Sequence, residues 1–203
     1  MIRPMTNGKP DNIRVFAVSV PGYNHEKTDK ECQDYSIAVR SEKKFYEYFI
    51  GEQSKGERKS QGLRIKPQCC IAIVADGHGG DEFFRSSTGA KFAAESARNC
   101  INDFLKKKNK RPLKTEVFQL IKSILKTWNE KVQTDFGKKV QTDFGNISFK
   151  IPELKPLSGE ISAKYLAGEK DHRHAYGTTL IAAVKCDTFW FGFHIGDGKC
   201  TVL

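Results

Sequence analysis

A short apolar run that stops at an acid is the sequence feature that most constrains how this chain folds. Residues 69–75 are apolar and β-rich, and turn-forming residues bound them, which predicts a buried strand. Residues 76–80 follow at once with the sequence Asp-Gly-His-Gly-Gly. The strand would hold the Asp76 carboxylate still. The three glycines would let a ligand or the water shell of a metal approach the backbone, because glycine has no Cβ atom.

The residue types in this motif suit a metal site with oxygen ligands. Asp76 and the backbone carbonyl beside it offer the oxygen atoms that Mg²⁺ and Mn²⁺ prefer. His78 adds a group that can transfer a proton near neutral pH. A glycine-rich turn capped by Asp76, with His78 on the surface, is the alternative interpretation. We favour the metal site because the specialised residues come directly after a buried strand.

Length and composition predict one folded domain. The 203 residues are enough to bury a core without stabilising disulfides or metal ions. A content of 38% hydrophobic and 11% aromatic residues is typical of a globular protein. The N-terminus shows no apolar segment of the kind found in secretion signals. No apolar stretch approaches the roughly 20 residues that span a bilayer. We therefore expect a cytoplasmic protein that does not associate with membranes.

The six cysteines show no zinc-type spacing and no Cys-x-x-Cys pair. Cys69 and Cys70 are adjacent, which suits a strand whose side chains alternate between faces. We predict that all six cysteines are reduced and that most are buried small residues. They are Cys32, Cys69, Cys70, Cys100, Cys186 and Cys200.

The formal net charge of +10 raises the question of a nucleic-acid partner. The densest basic run, residues 106–111, falls where a helix is predicted to end, and lysine and arginine are favourable there. No aromatic residue interleaves with the run, as single-strand binding would require. A solvated helix end is therefore favoured over a nucleic-acid patch.

The first part of the chain contains three candidate strands, at residues 14–20, 34–39 and 45–50. Residues 51–62 are charged and predict a loop, so residues 41–68 as a whole are interpreted as an insertion.

Two helices follow the glycine-rich motif. Apolar pairs recur every four residues between 92 and 105, which predicts one buried stripe. A second helix is predicted to begin after Pro112 with Thr115 as its N-cap, and its apolar face extends to Val132. Both stripes are expected to pack on a sheet.

Residues 131–137 and 139–145 carry the same sequence, Lys-Val-Gln-Thr-Asp-Phe-Gly. Two copies are too few for a repeat architecture. We interpret them as a small duplication that lengthens the second helix or its exit loop.

Residues 138–175 predict a variable loop region, with a short helix near residues 162–166. His172 and His174 lie in an Asp-His-Arg-His sequence that resembles a metal cluster. Two histidines two residues apart would not share a helix face, although in a loop they could converge. A solvated loop is the favoured interpretation.

The last part of the chain is rich in strands. Residues 178–185 and 188–195 predict two antiparallel strands, and a glycine-bounded turn that contains Asp197 leads into residues 199–203. Asp197 would either cap this turn or reach a site. Because the sequence stops inside a predicted strand, we expect it to be part of a longer domain.

These motifs, in this order, resemble those of the metal-dependent serine/threonine phosphatases of type 2C, particularly the bacterial branch. Residues 76–80 match the metal motif of that family, and residues 32–34, Cys-Gln-Asp, match its upstream acidic motif. Residues 22–25 resemble the bacterial Gly-x-x-His element. Residues 177–180, Gly-Thr-Thr-Leu, and residues 196–198, Gly-Asp-Gly, match two downstream motifs.

The resemblance implies an α+β fold, a four-layer α-β-β-α sandwich of two antiparallel sheets flanked by helices, incomplete at its C-terminus and covering residues 1–203. It also implies two Mn²⁺ or Mg²⁺ ions held by Asp76 and the carbonyl of Gly77. Gln33 and Asp34 would act mostly through metal-bound waters, and His78 would protonate the leaving alkoxide.

The sequence departs from the family pattern at three places. Two further metal-ligand aspartates of the family belong to a more C-terminal segment that this sequence does not include. The arginine that grips the substrate phosphate is absent from residues 27–31, so Lys30 and His25 are the candidates for that contact. Gln33 replaces an acid found in many relatives, which lowers the negative charge of the site.

The function implied by the resemblance is hydrolysis of phosphoserine and phosphothreonine in proteins by a water that two metal ions activate. The implied partners are a phosphorylated protein and a cognate serine/threonine kinase in a signalling pathway. An inactive phosphatase-like docking or regulatory module is the alternative, motivated by the missing aspartates and arginine. A third hypothesis, a basic nucleic-acid-associated domain, rests on the charge alone.

Overall fold

The computed structural model describes residues 15–19, 32–40, 46–50, 61–65, 69–108, 110–137, 164–165 and 168–198. The predictions for His25, Lys30, the second copy of the repeat and the strand at residues 199–203 lie outside these residues.

The described residues form an α+β fold, as predicted. The elements in chain order are β1 (Tyr35–Arg40), β2 (Tyr46–Ile50), β3 (Gln61–Ile65), β4 (Cys69–Ala75), α1 (Ser86–Lys106), α2 (Lys114–Asp135), β5 (Leu180–Cys186) and β6 (Trp190–Ile195). Strands β1, β4, β5 and β6 form an antiparallel sheet in the order β1-β4-β5-β6, and β2 pairs with β3 in a separate hairpin. Among the described elements these are the two sheets, and the predicted four-layer sandwich is not confirmed.

The core lies on one face of the four-stranded sheet. Ile71 and Ile73 of β4 are almost fully buried, and the register places Ile73 opposite Ile37 of β1 and Ala182 of β5. Every second residue of β5 is buried in the same way. This alternation is the period of two that a sheet with one apolar face requires.

Helices α1 and α2 cover this face of the sheet. The buried face of α1 is built largely from alanines, which let the helix backbone approach the strands closely. Leu120 and Ile124 of α2 join the same core. The predicted pair of helices on a sheet is confirmed. No helix in the described part of the chain combines the length and apolar character that a membrane crossing needs.

The start of α2 differs from the prediction by two residues. The N-cap is Leu113, and Thr115 lies inside the helix. The Glu116 carboxylate accepts a hydrogen bond from the Leu113 backbone N–H at 2.8 Å, so the free amide is satisfied from within the first turn. The end of α1 at Lys106 agrees with the predicted position of the basic run, and Lys108 in that run forms an ion pair with Glu116.

Three predictions of local structure are wrong. Residues 15–19 form no strand; Ser19 Oγ donates to Ser36 Oγ of β1 at 2.9 Å, so the segment lies beside the sheet without joining its ladder. The predicted loop 51–62 extends two residues too far, because β3 begins at Gln61 and pairs with β2; residues 51–60 lie outside the described residues. Residues 172–176 form a 3₁₀ helix in place of a solvated loop, because Asp171 caps it by accepting from the Arg173 N–H at 2.9 Å.

The prediction that all six cysteines are reduced is also wrong. Cys69 of β4 and Cys186 of β5 lie opposite each other with their Cα atoms 4.1 Å apart, and their sulfur atoms form a disulfide. The two residues are separated by 117 positions in the sequence, so only the pairing of β4 with β5 brings them together.

Candidate metal and phosphate site

The Asp-Gly-His-Gly-Gly loop, residues 76–80, leaves the sheet at the end of β4, where β5 begins. His78 N–H donates to the carbonyl of Gly177 at 3.1 Å, and Thr179 N–H donates to the carbonyl of Asp76 at 2.8 Å. These two bonds form an isolated bridge between Gly77 and Thr178. The two motifs that the sequence singled out, residues 76–80 and 177–180, are therefore held together by their backbones.

Glycine is required at position 77 by a close approach of the chain. A Cβ atom on Gly77 would lie 2.5 Å from the backbone oxygen of Gln33 and 3.1 Å from that of Ser86. Gln33 also reaches along the loop, since its side-chain oxygen would lie 3.6 Å from a Cβ atom on Gly79. The upstream motif thus packs directly on the metal motif, as its predicted role requires.

Two carboxyl groups meet at this end of the sheet. Asp34 precedes β1 and Asp76 follows β4, and because the antiparallel register pairs Tyr35 with Ala75, both acids lie at the same edge of the sheet. Partial burial raises the pKa of Asp76, and a hydrogen bond with the Asp34 carboxyl group and repulsion by its charge raise it further. His78 acts in the opposite direction and lowers the pKa of Asp76. Such a pair of acids is electrostatically unfavourable when both are charged, and a bound cation would relieve that repulsion.

Asp197 lies in the turn that follows β6. Its charge makes the smallest of the contributions that raise the pKa of Asp76. Gly196 has a φ of 94°, and a Cβ atom there would lie 2.9 Å from Thr179 Cγ2. The sequence leaves open whether Asp197 caps its turn or reaches the site, and its role stays a prediction.

His78 is exposed at the surface of the loop, and its ring packs edge-on against Phe83 with the ring centres 4.8 Å apart. On its other side Phe83 packs against His174 at 4.6 Å. A Cβ atom on Gly177 would lie 3.1 Å from His78 Nδ1. The imidazole is thus held by its neighbours while it stays accessible to a ligand.

The donor atoms at the site fit a hard divalent cation. They are the carboxylates of Asp34 and Asp76, the amide oxygen of Gln33 and the carbonyl of Gly77, and neither bond of the bridge uses that carbonyl. Oxygen ligands of this kind suit Mg²⁺ and Mn²⁺. Within the described residues no set of three histidine, cysteine or acidic side chains converges as a metal cluster. The described residues that could contact a cation are therefore fewer than a complete set of side-chain ligands.

His172 and His174 do not form the metal cluster that their sequence resembles. The ring of His172 packs on Phe136, whereas that of His174 packs on Phe83. Asp171 directly precedes the two histidines. Its carboxylate accepts hydrogen bonds from the Arg173 guanidinium, and these lower the pKa of Asp171 to about 2.

The side chains around Glu82 tie the loop to the following segment. Lys170 forms an ion pair with Glu82, and Tyr165 Oη donates to the Glu82 carbonyl at 2.9 Å. The hydrogen bond and the charge of Lys170 lower the pKa of Glu82. No motif in the sequence indicated these contacts.

Comparison with known proteins gives one family. The model of the family described as Protein phosphatase 2C matches residues 60–203, a segment that contains the motifs at 76–80, 177–180 and 196–198. The Cys-Gln-Asp motif at residues 32–34 precedes the matched segment. Searches of curated proteins and of solved structures found no match. The matched segment covers more than half of the chain, and the chain therefore belongs to the protein phosphatase 2C family.

Proposed function

We propose that this chain provides the metal-binding residues of a phosphatase that hydrolyses phosphoserine and phosphothreonine in proteins. Membership of the family supports phosphatase activity in general. The observation that carries the finer proposal is the meeting of the Asp34 and Asp76 carboxyl groups beside the exposed imidazole of His78. The alternative of an inactive docking module has less support, because the loop at residues 76–80 keeps every residue of the family motif.

Asp76 and the Gly77 carbonyl would hold the cations directly, while Asp34 and Gln33 would hold their water shell. Bound Mn²⁺ or Mg²⁺ would supply an activated water and neutralise charge on the phosphoryl oxygens. Such assistance matters because phosphate monoesters hydrolyse extremely slowly on their own, with accelerations up to about 10²¹ required. The same chemistry needs no cysteine or serine nucleophile.

His78 would donate a proton to the leaving alkoxide of the serine or threonine. Its backbone N–H is fixed by the Gly177 carbonyl, and its ring is held at the edge of Phe83. Proton transfer by a positioned histidine contributes about 10²–10⁴-fold to a reaction rate. Asp197 would add negative charge at the cation site.

The remaining family features are part of the same proposal. They are the second sheet and outer helices of the four-layer sandwich, contacts of Lys30 and His25 with the substrate phosphate, and a kinase that phosphorylates the substrate.

The test is hydrolysis of p-nitrophenyl phosphate and of a phosphothreonine peptide with added Mn²⁺. It compares this chain and the longest product of its reading frame with Asp76→Asn in each. We expect metal-dependent turnover that EDTA abolishes and that Asp76→Asn lowers by about 100-fold or more. Asp103→Asn is the matched control, since Asp103 lies exposed on α1 and pairs with Lys106.

The result that would overturn the proposal is a folded, Mn²⁺-supplied protein without turnover in either length. Turnover that Asp76→Asn and Asp103→Asn change equally would also overturn it. A folded but silent protein would favour the docking-module alternative.

A further inference from the structure

The first copy of the repeat ends in a small buried cluster behind the candidate site. Val132 of α2 is fully buried and packs with Tyr165, Ala175 and Tyr176 in a cluster separate from the main core. Phe136 in the same copy packs on the cluster from its edge. Side chains of the first copy thus touch the segment that leads into the Gly-Thr-Thr-Leu motif.

Asp135 of this copy accepts two hydrogen bonds on one oxygen atom. Tyr176 Oη donates to Asp135 Oδ2 at 2.7 Å, and Arg85 Nη2 donates to the same atom at 2.5 Å. The side chains of Arg85 and Asp135 are 15% and 9% exposed, and Tyr176 is fully buried. Charged hydrogen bonds in such a water-poor setting have a fixed geometry and few competitors.

These three residues come from three separate elements. Arg85 precedes α1, Asp135 ends α2, and Tyr176 ends the 3₁₀ helix before β5. Burial and the Asp135 hydrogen bond raise the pKa of Tyr176, which keeps its hydroxyl a donor. Burial alone would lower the pKa of Arg85, but the hydrogen bond and charge of Asp135 raise it.

The backbone of Tyr176 is fixed as firmly as its side chain. The Arg85 N–H donates to the Ala175 carbonyl at 3.0 Å. A Cβ atom on Gly89 would lie 2.1 Å from the Tyr176 carbonyl oxygen, so α1 lies directly against this residue. Trp128 Nε1 donates to the Gly89 carbonyl at 3.1 Å, which ties α2 to the same point.

Tyr176 influences the loop at residues 76–80 through the residues that follow it in the chain. The next residues along the chain, Gly177 to Thr179, make the two backbone hydrogen bonds that hold His78 and Asp76. The loop itself has three glycines and so little conformational preference of its own. Its geometry therefore depends on partners from outside.

We propose that Arg85, Asp135 and Tyr176 form a positioning network that sets residues 177–179 and, through them, the metal-binding loop. None of the three touches a ligand in this role. The inference rests on the proposed function for its catalytic consequence, but its structural consequence can be measured without turnover. The first copy of the repeat supplies Asp135 to this network.

The test compares Tyr176→Phe and Asp135→Asn with Asp143→Asn. Asp143 occupies the equivalent place in the second copy of the repeat, so the same substitution in the same local sequence is the matched control. Mn²⁺ affinity is measured by calorimetry, and amide hydrogen exchange is followed for residues 76–80 and 177–179. All measurements are made well below the melting temperature of each variant.

We expect Tyr176→Phe and Asp135→Asn to weaken Mn²⁺ binding by about 10-fold, the usual effect of losing a group that orients metal ligands. Exchange at residues 76–80 should accelerate, kcat should fall with the peptide KM nearly constant, and Asp143→Asn should behave as wild type. Arg85→Lys should retain more Mn²⁺ affinity than Arg85→Gln, because it keeps the charge.

Folded variants with unchanged Mn²⁺ affinity and unchanged exchange at residues 76–80 would overturn the inference. An Asp143→Asn protein as impaired as Asp135→Asn would overturn it too. If the wild type binds no Mn²⁺, the proposed function has failed, and hydrogen exchange alone then decides whether the network positions the loop.

Discussion

The two ends of β4 are joined to the β5 side of the sheet by different chemistry. At the first end a disulfide connects the buried residues Cys69 and Cys186. At the second end backbone hydrogen bonds connect Asp76 and His78 to residues 177–179, and both side chains stay exposed. The same strand therefore has one end that is closed by a covalent bond and one end whose side chains remain available.

Under the proposed function, the first end of β4 contributes mainly to stability and the second end to metal binding. Apolar burial and a covalent bond need no polar side chain to be accessible. A metal site needs free oxygen atoms in fixed positions, so its support has to come from the backbone and from residues behind it. We expect changes at the first end to alter the free energy of unfolding and changes at the second end to alter metal binding.

The largest expected effect is loss of the disulfide. Cys69→Ser with Cys186→Ser should lower the free energy of unfolding by about 4 kcal/mol, because the bridge closes a long loop of the unfolded chain. Chemical denaturation measures it, and Cys100→Ser on α1 is the control. Under denaturing, non-reducing conditions the wild type should titrate two fewer thiols than after reduction. Equal thiol counts would show that the disulfide is absent and remove the contrast between the two ends.

The apolar middle of β4 should give the next largest effect. Ile73→Ala should cost about 3 kcal/mol of unfolding free energy, because the side chain is fully buried and leaves a cavity. Val74→Ala is the matched control on the neighbouring position, where the side chain is 46% exposed. Similar losses for both variants would mean that the second face of the sheet is covered as well.

The substitution Gly77→Ala alters the second end of β4 directly. The new Cβ atom would collide with the backbone oxygen of Gln33, so the two motifs must separate, at about 2 kcal/mol of unfolding free energy. Mn²⁺ affinity should fall by about 100-fold. Gly137→Ala is the control, since a Cβ atom there would meet nothing within 4 Å. If the Gly77→Ala protein binds Mn²⁺ like the wild type, the contact between residues 32–34 and the loop at 76–80 does not contribute to metal binding.

The smallest effect is expected at Asp171, which caps the 3₁₀ helix near the second end. Arg173 lowers the pKa of Asp171 to about 2, below its ordinary 3.8, so the stability it contributes is present above about pH 4 and is lost as the pH falls towards 2. Asp171→Asn should cost about 0.5 kcal/mol at pH 6, after solvent screening, and less at pH 3. A difference in unfolding free energy that is the same at both pH values would contradict this assignment.

The sequence predicted the features that depend on local pattern. Strand Cys69–Ala75 was predicted with its correct bounds, and both long helices were predicted from their apolar stripes. The sequence also places the motif at residues 76–80 after one strand and Asp34 at the start of another. In each case one short stretch of chain contains the whole signal.

The features that the sequence did not predict depend on contacts between distant residues. Cys69 and Cys186 pair only because two strands align, and their separation in the sequence is 117. Asp135 lies 50 residues from Arg85 and 41 from Tyr176, so no local pattern connects these three buried groups.

The most direct test of the central claim is a calorimetric titration of Mn²⁺ into the wild type, Asp76→Asn and Asp103→Asn. The predicted result is binding to the wild type and to Asp103→Asn, with affinity for Asp76→Asn weaker by about 10-fold or more. Equal Mn²⁺ affinity of the wild type and a folded Asp76→Asn protein would contradict the assignment of a metal site to the end of β4.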